Sequence, residues 1–395
     1  MKKLVATCLL SFLIIDSYAQ NWQTKADVPV NLAFPVVVSL NGNIHVLAGG
    51  GPGGASKLHL RYKPSTNKWD TLAPVPFLAQ QPAGAVVGGK IHYCGGGYPN
   101  SGTRLDKHFV YDPDSAKWFQ DTKLPVAIAI HKAVEYDNKL YVMSGQPDKA
   151  LFEYYDPNSQ SWVQKSALPD QNFWYGAITS NSKGIFRFGG GGFGAPTAAA
   201  HAYNKTSDQW VSIPSLPVAL HAASAVALND SLIFITGGYS AGTTYNKSYI
   251  YHIRKQLYYP TNVMPFGTNY HSLVLVDDCI YSVGGDNSSV TGAETSHIML
   301  CNPQYKWAVG IKESKPDKIY TISQSFGKLK LEFKPGTKTN DIILELTDLK
   351  GRKLSINNEI NGILWEQNFN NNANTLYLLT IKYQGLTYYE KILPF

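Results

Sequence analysis

The chain has 395 residues, of which 16% are charged and 12% aromatic, with 34 glycines and a formal charge of +7. That composition excludes a disordered chain and suits an all-β protein rich in tight turns. Its basic residues are scattered rather than gathered in a stripe, so no nucleic-acid partner is expected.

At the start of the chain, Lys2 and Lys3 precede an apolar run over residues 4–15. Ser17 and Ala19 then place small residues at −3 and −1 of a cut before Gln20. Residues 1–19 therefore read as a secretory signal peptide, too short for a comfortable membrane span. Cys8 has only four apolar or small residues before it, too few for a lipid-anchored cysteine. Loss of Lys2, Lys3 and Asp16 leaves the mature chain at +6. No later stretch approaches the length of a transmembrane helix, so a soluble exported protein without a transmembrane segment is expected. Cys94, Cys279 and Cys301 remain after processing, enough for one bridge and one spare thiol.

Six short apolar runs ending in glycine follow: NIHVLAGG (43–50), KIHYCGGG (90–97), KLYVMSG (139–145), GIFRFGG (184–190), SLIFITGG (231–238) and CIYSVGG (279–285). Trp22, Trp69, Trp118, Trp162 and Trp210 lie 44–49 residues apart, and the next, Trp307, lies two periods on with Tyr258 near the midpoint. Such a period marks a radial array of small sheets. The third unit shows the pattern: strands at 131–136, 139–144, 151–155 and 161–164, with Asp137, Asn138 and Asp156 to Asn158 at the turns. A tyrosine seven residues before each Trp recurs at Tyr62, Tyr111, Tyr155 and Tyr203, and Tyr251 keeps the spacing before Tyr258. Cys301 stands where this tyrosine is expected in the last unit. These aromatics are expected to fill the wedge between adjacent sheets.

Glycine pairs, Tyr and Trp at fixed offsets over roughly 22–309 resemble the kelch family of β-propellers. The resemblance implies a six-bladed propeller over residues 20–310. Two departures stand out: Ser144, Gly145 and Gln146 replace a double glycine, and the arginine often found after the inter-blade proline is absent. There are six second strands but seven candidate outer strands, because NWQTKADVP (21–29) matches KWDTLAPVP (68–76). Either the N-terminal strand or the Trp307 strand completes the last blade.

The period stops at Ile311. Residues 312–318 (KESKPDK) read as a linker, and residues 319–395 alternate as a β-sandwich of roughly seven strands. This tail is similar to the C-terminal sorting domain of proteins exported by the type IX secretion system. The residues that carry the resemblance are LELTDLKGRK (344–353), TLYLLTI (375–381) and the closing Glu390, Lys391 and Ile392. The opening Tyr-Pro-Asn-Pro of that family is missing, and Asn374 to Leu376 replace its small-Gly-hydrophobic step. The resemblance implies the type IX secretion machinery as a partner, and the secreted or outer surface of a Gram-negative bacterium, reached through the periplasm, as the location. An accessory immunoglobulin-like module is the other reading of the tail.

Propellers bind partners at the channel mouth, where the loops before the first strand and after the second converge. Counting back from the repeat glycines gives the row Pro35, Pro82, His131, Tyr175, Ala223 and Tyr270 (or His271), flanked by Trp174, His221 and Asn269. His131, Trp174, Tyr175, His221, Asn269, Tyr270 and His271 are the candidate ligand-binding residues, suited to stacking on sugars or clamping a peptide. The competing reading is that they merely fill the pore. His131, His221 and His271 come from three blades and would meet only on the axis; no metal or cofactor is expected. No nucleophile elbow, phosphate loop or HExxH occurs, and no catalytic residue is assigned. The candidates for acid, base or pairing roles reduce to Arg104, Asp106, Arg187 and Asp286. The expected function is therefore a binding module for a glycan or protein. The alternative is a carbohydrate-active enzyme, by analogy with propellers of the sialic-acid epimerase or galactose oxidase kind. Cys279 opens one strand and Cys301 ends its antiparallel neighbour, which predicts a disulfide between them, with two buried free thiols as the alternative.

Overall fold

The computed structural model describes residues 22–301 apart from 52–53, 99–101, 149, 170–173, 192–194 and 288–294. Between 320 and 392 it describes all but 326–327, 336, 349–352, 357–359, 361–363, 369–376 and 384–385. The expected signal peptide over residues 1–19, the expected linker over 311–318 and Trp307 lie outside the described residues. The chain divides into two compact units, Met1–Trp307 and Ala308–Phe395.

The described part of the first unit holds six four-stranded antiparallel sheets and no α-helix. In the first, Val36–Leu40, Asn43–Leu47, His59–Lys63 and Lys68–Thr71 lie side by side. The next four sheets repeat this meander, each built from four consecutive principal strands; they begin at Ala83–Val87, Lys132–Tyr136, Ala177–Asn181 and Ser224–Ala227. The sixth differs. Ser272–Val276, Cys279–Val283 and His297–Cys301 are joined at the outer edge by Gln23–Thr24 from the start of the chain, with Gln23 opposite Met299. The two ends of the unit thus share one sheet.

Each sheet buries its faces against its neighbours. Val36, Val38 and Leu47 of the first meet Ile91, Tyr93 and Tyr111 of the second. Ile44, Val46 and Tyr62 meet Val274, Tyr281 and Val283 of the sixth. Such sheets packed face to face around an axis are the blades of a β-propeller, an arrangement that covers faces no isolated four-stranded sheet could cover.

The periodic tryptophans fasten neighbouring sheets. Trp69 Nε1–H donates to Ala26 O (2.9 Å), Trp118 to Ala73 O (3.1 Å) and Trp162 to Thr122 O (3.1 Å). Tyr258 OH does the same to Pro214 O (2.7 Å). Three of these carbonyls also accept a proton from a buried imidazole Nδ1: Ala73 from His59, Thr122 from His108 and Ala26 from His297. Each such carbonyl therefore ties one histidine of its own sheet to the tryptophan of the next.

Cys279 and Cys301 stand directly opposite in the sixth sheet and are joined as a disulfide, while Cys94 is free and buried.

The second unit is a β-sandwich. A three-stranded sheet (Tyr320–Ser325, Lys328–Phe333, Leu364–Asn368) and a four-stranded one (Lys353–Leu354, Ile343–Asp348, Tyr377–Tyr383, Leu386–Ile392) enclose Trp365, Leu331, Phe333, Leu346 and Ile381.

Candidate functional site

The residues before each innermost strand form three stacked levels around the axis. Ala33, Gln80, Ala129, Trp174, His221 and Asn269 make the outer rim. Phe34, Gln81, Ile130, Tyr175, Ala222 and Tyr270 follow them in sequence, and then Pro35, Pro82, His131, Gly176, Ala223 and His271. The equivalence rests on register: the residues that follow, from Val36 in the first sheet to Ser272 in the sixth, each open the innermost strand and pair with the end of the second strand.

The middle level has one backbone conformation throughout, with φ between 52° and 62° at all six positions. None is glycine, and Ile130 is β-branched, so only firm restraint keeps them there. That restraint is a set of main-chain hydrogen bonds around the mouth. Phe34 N–H donates to Tyr270 O (3.0 Å), Tyr270 N–H to Ala222 O (3.0 Å), Ala222 N–H to Tyr175 O (2.8 Å) and Ile130 N–H to Gln81 O (3.3 Å). The first of these joins the first sheet to the sixth.

Side chains of the same level close the opening. The Phe34 ring lies 4.1 Å from that of Tyr270, and Tyr175 meets Tyr270 edge-on at 5.1 Å. Gln81 Nε2–H donates to Tyr175 OH (3.2 Å), and Tyr270 OH lies 3.2 Å from His221 Nε2. The cavity left among them is about 40 Å³, room for a few waters. Tyr175 is 8% exposed. Burial raises both phenols above their ordinary range, so they remain neutral.

The row read from the sequence thus spans two levels. His131 and His271 belong with Pro35, whereas Tyr175 and Tyr270 belong one level further out with Phe34. The cause lies in the glycine pairs. Ala48 and Ser144 take the place of the first glycine in the first and third units and hold the same left-handed backbone, φ 48° and 58°. Counting back from Gly49, Gly96 and Gly145 therefore starts from the second position of the pair, whereas counting from Gly189 and Gly284 starts from the first, one residue early, in the fourth and sixth. Trp174, His221 and Asn269 lie on the rim: Trp174 is half-buried, His221 packs against Tyr239 (ring centroids 5.2 Å) and Asn269 bridges to Asp286. Phe34, Gln81 and Lys132 were not singled out from the sequence. For Phe34 and Gln81 the available signal was their place one residue before Pro35 and Pro82.

His131 and His271 are enclosed below the closure, and burial pushes both down to about 3. At Gly95 and Gly237, both left-handed, an added Cβ would collide with the rings of His131 and His271 from the following sheet. Glycine here makes room for the neighbour's imidazole as well as for the turn. Arg104 reaches Gln146 Oε1 (3.4 Å), and Asp106 pairs with Lys123 (2.9 Å). Arg187 is fully buried within its strand.

His92, His108 and Asp121 bring ligand atoms within 4.8 Å of one another, the one such cluster among the described residues. Their hydrogen bonds are already used. His108 Nδ1–H donates to Thr122 O, so His108 Nε2 accepts from His92 Nδ1–H (3.0 Å), and Asp121 Oδ1 accepts from Tyr155 OH (2.6 Å). The first sheet repeats the histidine pair, His45 Nδ1 to His59 Nε2 (2.9 Å), with Leu72 at the position of Asp121. The pair is therefore a packing device of the sheets.

No sequence family matches this chain, and no curated protein is similar to it. Among solved structures, that of YjhT superposes with a TM-score of 0.62 over 72% of this chain and 100% of that one, at 16% identity. At that identity the likeness shows the fold, a β-propeller, and leaves the ligand to the site.

Proposed function

We propose that this protein is a secreted or cell-surface binding module, a six-bladed propeller of kelch type, that takes a glycan or protein ligand on the rim of its mouth. The observation that carries this reading is the closure by Phe34, Tyr175 and Tyr270. With about 40 Å³ left between them, a ligand meets the rim and not the channel. Trp174 and Tyr239 offer half-buried aromatic faces there, beside the hairpins Gly97–Tyr98/Thr103–Arg104 and Tyr239–Ser240/Thr243–Thr244. The cavity has no carboxylate among its described lining residues, and His131 and His271 are too weakly basic to act as proton acceptors at neutral pH. Recognition by aromatic stacking and loop contacts needs neither group.

A binding screen of the mature protein against glycans and surface proteins, repeated with Trp174→Ala, tests this. Loss of a detected ligand at least tenfold in Trp174→Ala, with an unfolding midpoint near that of the parent, is expected; full binding by the variant would move the site away from this rim. Turnover of a sugar by the parent would instead favour the carbohydrate-active reading.

Export is part of the same proposal. A signal peptide over residues 1–19 takes the chain to the periplasm, and the β-sandwich over residues 319–395 serves as a type IX sorting domain. The described residues hold no helix long and apolar enough to cross a membrane, which is compatible with release or surface attachment. A chain ending before Ala308 should accumulate in the periplasm of a type IX-competent host; its appearance outside the cell would remove the sorting role.

A further inference from the structure

Just below the closure the channel carries a cation that no described residue neutralises. Lys132 opens the innermost strand of the third sheet, opposite Met143. At the same level the other sheets place Val36, Ala83, Ala177, Ser224 and Ser272. The cavity around these residues is about 120 Å³, and its described lining contains no carboxylate. Lys132 makes no hydrogen bond or ion pair among the described residues, and it lines both this cavity and the smaller one of about 40 Å³ at the closure. Lys132 is half-buried, and an ammonium left without a partner in a channel is stabilised by a matching anion.

The neighbouring groups are donors. His271, 4% exposed, has neither ring nitrogen hydrogen-bonded, and His131, 2% exposed, has Nδ1 unbonded. Both line the smaller cavity together with Lys132, although His271 comes from the sixth sheet. Neutral His271 carries one N–H to offer, whereas His131 gives its own to the backbone of Cys94. Ser224 Oγ accepts from Leu273 N–H (3.1 Å), so its own hydroxyl proton is left to donate. The first, second and fourth sheets line the cavity only with apolar or glycine residues. Burial alone lowers Lys132 to about 8, so at neutral pH it stays mainly charged.

We propose that the channel at Lys132 binds a small monovalent anion, a halide or a carboxylate, held by Lys132 Nζ with donors from His271 and Ser224 on either side of it. The site is independent of what the rim binds. Thermal unfolding of the whole mature chain in sodium chloride, sodium formate and sodium gluconate at equal ionic strength tests it, with gluconate as the anion too bulky to enter. At about tenfold excess over Kd the midpoint should rise by about 2–4 °C in chloride, in formate or in both, and not in gluconate. A rise in chloride alone identifies a halide site, and one in formate alone a carboxylate site. Lys132→Met should respond to none of the three. Equal midpoints in all three salts, or a rise that persists in Lys132→Met, would overturn the proposal. If that variant does not fold, crystals of the parent grown with bromide and with formate decide instead. Density for either ion between Lys132 and His271 supports the site, and its absence in both refutes it.

Discussion

Six histidines of the propeller are buried and neutral, and this makes its stability depend on acid. Burial, the first cause in each case, pushes His45, His92, His131 and His271 down to about 3, and His59 and His297 to about 4. In the unfolded chain each titrates near 6.5. Their stabilising contribution is complete above that value and is lost as pH falls toward the folded values. Each then removes about 1.4 kcal/mol per pH unit. Glu153 works in the opposite sense: burial raises it to about 7, so its contribution is present below its unfolded value and fades as pH rises through 7. One carboxyl does not balance six imidazoles. Urea unfolding should therefore show stability falling steeply from pH 6.5 to 4, with a shallower slope in His92→Asn; an unchanged slope in that variant would show that the pair with His108 is already protonated when folded. Few of these roles were legible beforehand. A histidine in KIHYC reads only as an apolar-strand residue, because its partner, His108, lies on the next-but-one stretch of chain. Lys132 in KAVEY likewise reads as a solvated strand end, and only the ring places it at the axis.

At the scale of the element, the tryptophan period fixed the sheets because it marks a contact that successive sheets repeat. In the first three sheets an indole spans the gap to the preceding sheet and ends on a carbonyl there, and Tyr258 does the same from the fifth. Trp118→Ala removes both the filling and the bond to Ala73 O, and should cost about 2–4 kcal/mol, somewhat below a fully enclosed indole because Trp118 is half-buried. Trp174→Ala at the rim should cost clearly less. Chemical unfolding of both variants measures the contrast, and equal losses would mean that the rim is structural core. The strand that completes the sixth sheet was not legible in the same way. NWQTKADVP and the Trp307 segment have similar local chemistry, and strand pairing depends on a contact between residues 23 and 299 that no local pattern encodes. The levels at the mouth were mixed for a related reason. Ala48 and Ser144 adopt the backbone of a glycine without being one, and so hide the register on which the count depends.

For the whole molecule, composition, period and turn chemistry were enough to give an all-β chain with a propeller and a following sandwich, because those features are repeated and local. What the mouth does depended on six loops meeting around an axis, and the closure by Phe34, Tyr175 and Tyr270 emerged only there. The functional reading rests on that closure being the resting state of the molecule. Amide hydrogen exchange of the intact mature protein tests it most directly, at the N–H groups of Phe34, Ala222 and Tyr270. If the mouth is shut, these amides should exchange as slowly as those of the buried strands, such as Ile44 and Ile233, because they are released only by opening of the ring. Exchange within seconds, at the rate of exposed turns, would mean that the mouth opens freely and that the channel, and not the rim, is where a ligand enters.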